Sequence, residues 1–128
     1  MIEIESIHHV SISVTDLGRA KEFYGGVLGL AEIARPAFDF AGAWYQAGDR
    51  QLHLIVHPDR TKPRDFDAID SRDRHFALRV RNYGAALEHL KTHAVAYRAK
   101  PRNLTEQPQI YLADPDGNVI ELNAERLD

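Results

Sequence analysis

The chain has 128 residues, 44% of them hydrophobic, enough for one domain or two half-size modules sharing a core. It is too short for a dinucleotide-binding domain plus a substrate domain. Sixteen basic against nineteen acidic residues give a net charge of −3, without the broad basic excess that nucleic acid or an anionic membrane requires. The absence of cysteine removes disulfides, thiolate metal ligands and a cysteine nucleophile. No stretch approaches the roughly 18 apolar residues of a membrane span. Met1–Glu5 carries acid where a signal peptide carries base. A cytoplasmic protein with neither nucleic acid nor membrane as partner is expected.

Residues 8–14 alternate, with Val10, Ile12 and Val14 on one face and His9, Ser11 and Ser13 on the other, which predicts a half-buried strand. Asp16 caps a helix predicted from Leu17 to about Leu28. Residues 30–34 form a second strand, cut off by Pro36. Residues 42–47 and 51–56 form a hairpin turned by Gly48-Asp49-Arg50. Segment 57–73 holds two prolines and nine charged side chains and reads as a linker. The order then repeats. Residues 75–80 alternate again, Asn82 caps a helix over Tyr83 to about Thr92, and a weak strand lies near 95–99. Residues 109–113 and 118–123 form a hairpin closed by Asp114-Pro115-Asp116-Gly117.

This is one domain, 1–128, built from two βαβββ modules at about 7–56 and 74–124, an α+β fold. His9 superposes on His75 at an offset of 66 (75 − 9), which also places Asp16 on Asn82 and Gly18 on Gly84. In the last strand of each module His53 superposes on Glu121 at an offset of 68 (121 − 53), a drift of one small loop. His9, His53, His75 and Glu121 all lie opposite the uniformly apolar series of their strands. Two modules with four matching parities point to one site for a divalent metal, and imidazole plus carboxylate suits Zn, Ni, Fe, Mn or Co. His8, His57, His89 and His93 lack this joint support. The pair His89 and His93 reads as a solvated helix face.

The same residues sit in recognisable motifs. His9-Val10, Thr15-Asp16-Leu17, Phe23-Tyr24 and Val27-Leu28-Gly29-Leu30, with Asp114 to Leu122 as a closing hairpin, resemble the vicinal oxygen chelate superfamily across residues 7–124. That superfamily includes glyoxalase I, extradiol dioxygenases, fosfomycin-resistance thiol transferases and bleomycin-resistance proteins. The resemblance implies paired βαβββ modules forming a cup-shaped mixed sheet around one metal. It implies ligands at His9, His75 and Glu121, a fourth position at His53, and frequent homodimers. Glyoxalase I typically has Glu or Gln where this chain has His53, so the role of His53 stays open: extra donor, nearby base or substrate contact. Whether the modules pair within one chain or between two also stays open.

The leading expectation is a glyoxalase I-like lyase or isomerase acting on a small molecule, with Glu121 or His53 moving a proton. An extradiol-type dioxygenase using Fe(II) or Mn(II), a thiol transferase and a non-catalytic binding module are the alternatives. Candidate substrate contacts are Arg79 on the cavity face, Trp44 and Tyr45 (one to the core, one to the cavity), Tyr111 on the equivalent strand, and Arg102 and Asn103 in the loop 101–109.

Overall fold

Alternation along the first strand predicts two unlike faces, and β1 (His9–Val14) has them: Val14 is buried, while His9 and Ser11 are exposed. The structure is a computed structural model that describes residues 1–59 and 70–127. Most of the predicted linker, 60–69, lies outside the described residues. The chain divides into two compact units, Met1–Thr61 and Lys62–Asp128.

In the first unit β1 is followed by α1 (Leu17–Lys21), β2 (Ala31–Ile33), β3 (Gly42–Ala47) and β4 (Arg50–Val56). The sheet order is β1-β4-β3-β2, with β1 parallel to β4 and the other pairs antiparallel. The second unit repeats it with β5 (His75–Arg79), α2 (Tyr83–Thr92), β6 (Tyr97–Lys100), β7 (Gln109–Ala113) and β8 (Val119–Asn123), in the order β5-β8-β7-β6. The chain is thus an α+β fold of two βαβββ modules. Both sequence offsets reappear as strand register. His9 pairs with Gln51 and His75 with Val119; Ser11 pairs with His53 and Ala77 with Glu121.

One prediction is corrected in detail. The helix expected from Leu17 to Leu28 is α-helical only to Lys21 and continues as a π-helical segment, Glu22–Val27. Leu28 N–H donates to Phe23 O at 2.8 Å, five residues back. The wider turn lets the consecutive residues Phe23 and Tyr24 both enter the core, where Tyr24 meets Tyr45 of β3 at 6.5 Å. The sequence signal for this widening is Gly25-Gly26, which weakens the α-helical pattern.

Each helix starts on a side-chain cap. Asp16 Oδ1 accepts from Arg19 N–H, and Asn82 Oδ1 accepts from Ala85 N–H, both at 2.8 Å. Asp16→Ala and Asn82→Ala are each expected to lower stability by about 1 kcal/mol, with costs that add in the double variant, measured by urea unfolding. The β7–β8 hairpin is set by Asp114. Its Oδ1 accepts from Asp116 N–H at 2.9 Å and Asn118 N–H at 2.8 Å, while Gly117 takes the positive φ of 84° that the turn needs. This turn fixes the register that sets Glu121 opposite Tyr111. No helix among the described residues is long and apolar enough to cross a membrane.

Candidate functional site

In the first unit, Gln51, His53 and Ile55 of β4 share a face with His9, Ser11 and Ser13 of β1 and with Gly42, Trp44 and Gln46 of β3. The register puts Trp44 directly beside His53, and His53 is sandwiched. Its ring stacks on Trp44 at 4.0 Å and on His9 at 4.1 Å. His53 is only 7% exposed, and burial, reinforced by His9, His8 and Arg35, pushes its pKa below the ordinary histidine value. It is therefore neutral at neutral pH. With the Gln51 amide oxygen 2.9 Å away, Nε2 carries the proton and Nδ1 keeps the lone pair. The His9 and His53 rings are nearly parallel, 17° apart. A metal lies in the plane of the imidazole that binds it, so one ring must turn before both ligate one ion.

In the second unit, His75, Ala77 and Arg79 of β5 share a face with Val119, Glu121 and Asn123 of β8 and with Tyr111 of β7. A backbone carbonyl can only accept, so the 2.7 Å contact from His75 Nδ1 to Asp73 O puts a proton on Nδ1. Nε2 then faces Glu121 Oε1 at 3.3 Å. In the neutral ring both are acceptors, and two electron pairs converge where one positive charge, a proton or a divalent ion, satisfies both. His9 Nδ1 lies 2.9 Å from His8 Nδ1, one ring donating and the other accepting.

Glu121 is 8% exposed and well supported: Tyr111 O–H donates to Oε1 at 2.9 Å and Asn123 Nδ2 to Oε2 at 2.8 Å. Behind Asn123 stands Arg79. Its Nε donates to Asn123 Oδ1 at 2.6 Å, and its Nη2 to Gln107 Oε1 at 2.8 Å. Arg79 thus orients the amide that holds Glu121. The Tyr111 phenol is pushed up to about 12 from its ordinary 10.0 by burial, then by the hydrogen bond and charge of Glu121. A phenol whose folded value is raised stabilises the fold fully below the ordinary value and loses that contribution as pH climbs from 10.0 toward about 12. Tyrosinate absorbance of chelator-treated protein is expected to show an ionisation near the upper limit, absent in Tyr111→Phe and moved down in Glu121→Gln.

The other expected contacts divide. Trp44 lies on the face of His53, whereas Tyr45 is on the opposite face, fully buried against Tyr24. Asn103 builds its own loop, with Nδ2 donating to Gln107 O at 2.7 Å and Oδ1 accepting from Thr105. Arg102 is exposed. Sequence reasoning missed Lys100, whose Nζ sits 5.2 Å from the Tyr111 ring. It also missed Arg35, Phe38 and Phe40 of the β2–β3 connection, which join the aromatic stack through Trp44. The signal available was an arginine followed by two phenylalanines in a short proline-containing connection. Among the described residues no group of three or more His, Asp or Glu side chains is set to hold an ion.

The family model described as "Glyoxalase/Bleomycin resistance protein/Dioxygenase superfamily" matches residues 6–122. The chain belongs to this superfamily. As a superfamily member it is similar to the uncharacterized protein YaeR of Escherichia coli (strain K12), 31% identical over 95% of this chain and 98% of that one. It is also similar to the metallothiol transferase FosB of Staphylococcus epidermidis, 26% identical over 95% of this chain and 83% of that one. Among solved structures it resembles a glyoxalase family protein of Bacillus anthracis, with a TM-score of 0.82, 22% identity, and coverage of 97% of this chain and 98% of that one. The candidate donors of this superfamily member, imidazoles and one carboxylate without thiolates, are of the types that suit divalent metals. The His75–Glu121 contact, with the imidazole proton held on the far nitrogen, is a pair such an ion would satisfy.

Proposed function

We propose that the chain is a divalent-metal-dependent enzyme of the glyoxalase I type, a lyase or isomerase acting on a small molecule with two neighbouring oxygens. The observation that supports it most is His75 Nε2 facing Glu121 Oε1 at 3.3 Å while Asp73 O holds the Nδ1 proton. In this reading His9, His75 and Glu121, with His53 as a fourth donor or nearby base, hold one ion of Zn, Ni, Fe, Mn or Co. The protein acts as a homodimer in the cytoplasm. When bound, the ion supplies Lewis acidity toward the vicinal oxygens of the substrate.

The chain's own residues handle the proton. His53, neutral and with its lone pair on Nδ1, takes a proton from the carbon next to the carbonyl and returns it to the neighbouring carbon. Burial favours this neutral state, and the Trp44 ring keeps water from one side of the imidazole. Tyr111 and Asn123 hold the Glu121 carboxylate in one orientation, and Glu121 is the other group able to carry the proton. Trp44 and Tyr111 stand at equivalent positions, beside His53 and Glu121 respectively, and supply aromatic surface for the substrate. Similarity to a metallothiol transferase favours, as a second reading, metal-dependent transfer of a thiol.

Elemental analysis of untagged protein tests the site. About one divalent ion per chain is expected, lost in His75→Ala. No uptake after reconstitution overturns the enzyme reading. Assays on the loaded protein separate the reactions. Isomerisation consumes neither oxygen nor thiol, whereas oxygen uptake marks a dioxygenase and net thiol loss a transferase. Ligand affinity without turnover marks a binding module.

A further inference from the structure

The face that carries His53 continues into side chains that the proton chemistry leaves unused. After β2 the connection 34–41 carries Arg35 back over Gly42, which shares the face of Trp44. A Cβ on Gly42 would stand 2.9 Å from Arg35 Nη2 and 3.0 Å from Nε, so the guanidinium occupies the space of the missing side chain. Phe38 and Phe40 flank it, their ring centres 4.9 and 5.0 Å from Arg35 Cζ. These two rings stack on each other at 5.1 Å, and Phe38 reaches Trp44 at 6.2 Å. Cation, two phenyls, indole and the His53 imidazole thus form one continuous run.

Two features of this run are unexpected in a purely structural cluster. Arg35 Nη2 donates to Phe40 O at 2.9 Å, yet Nε is buried and has no hydrogen-bond partner, alone in this among the described buried side-chain atoms. A charged N–H withdrawn from water is normally paired. Phe38 and Phe40 are also 45% and 42% exposed, on a connection that lies outside the β2–β3 strand pairs. A carboxylate entering between them would accept from Nε–H and from the remaining Nη2 hydrogen in one side-on bidentate contact. A planar apolar body attached to it would lie against the phenyls and Trp44. We propose that Arg35, Phe38, Phe40 and Trp44 form a substrate subsite that selects a small arylcarboxylate, its acid group on Arg35 and its reacting end toward His53. This deepens the proposed function and rests on it for the word substrate, while the binding itself does not.

Trp44 is the only tryptophan in the chain, so intrinsic fluorescence reports this subsite directly. The test titrates the full chain, freed of metal by a chelator, with phenylacetate and with its neutral analogue phenylacetamide. Without metal, any preference for the acid must come from the protein. Phenylacetate is expected to shift Trp44 emission saturably, and phenylacetamide to bind at least about tenfold more weakly. Arg35→Met, which keeps the stem against the phenyls, is expected to lose that preference. Equal binding of acid and amide, no saturable shift, or an Arg35→Met variant that binds phenylacetate as tightly as the parent overturns the proposal. Should Arg35→Met fail to fold, the acid and amide titrations of the unaltered chain decide. A chain that takes up no divalent ion but prefers phenylacetate refutes the metal reading alone. A metal-binding chain without the preference refutes the subsite alone.

Discussion

Glu121→Gln is expected to weaken divalent-metal binding by more than about 100-fold, beyond the 10- to 100-fold range for loss of a group that only orients a ligand. The substitution removes the one anionic donor proposed for the ion and leaves the shape of the side chain. Glutamine keeps an oxygen that can accept from Tyr111 O–H, so the β7–β8 pairing is retained. Metal titration followed by competition with a chromophoric chelator measures the loss, and thermal unfolding of the metal-free protein checks the fold. Tyr111→Phe and Asn123→Ala touch the same carboxylate without removing it, and their metal affinities are expected to fall only about 10- to 100-fold. If all three variants lose affinity equally, Glu121 acts as part of the scaffold and not as a ligand.

Gly42→Ala is the substitution expected to cost the fold most, about 3 kcal/mol or roughly 10 °C in Tm. Glycine to alanine within a strand ordinarily helps slightly, because glycine gives up more chain freedom on folding. At this position the added Cβ would stand 2.3 Å from Leu54 O, a backbone atom held in the β3–β4 pairing, and would also press on Arg35. The strand cannot yield without moving its partner, so the clash outweighs the entropic gain. Differential scanning calorimetry reads the loss. Gly26→Ala, where an added Cβ meets nothing within 4 Å, is the matched control and is expected to leave Tm unchanged or higher.

Much of the candidate site was legible in the residues. His9, His53, His75 and Glu121 could be selected because each stands opposite an unbroken apolar series, and alternation is a property of a single strand. The offsets of 66 and 68 could be read because both modules keep the same caps and the same strand spacing, and strand register reproduces them. Trp44 and Tyr45 could not be separated in that way. They are consecutive and aromatic, and their strand offers only the small residues Ala43 and Ala47 on one series and Gly42 and Gln46 on the other, with no branched aliphatic side chain to mark the core face. Tyr45 goes to the core because it pairs with Leu52 and packs on Tyr24, a residue 21 positions away (45 − 24). The Arg79–Asn123–Glu121 chain was invisible for the same reason, since its first link, Arg79 to Asn123, joins β5 to β8.

The sequence by itself determined the fold class, the repeated module, the turn and cap positions and the face each donor occupies. Spacing, β-branching and capping chemistry act over a few residues and need no partner to be read. Only the tertiary structure decided which side chains touch. It chose the π-helical turn that buries Phe23 and Tyr24 together, the sandwich of His53 between Trp44 and His9, and the seat of Arg35 over Gly42. Each of those depends on strand register and on where a connection returns to the sheet. Both are settled when distant segments close and bury surface jointly, a cooperative choice that no local pattern contains.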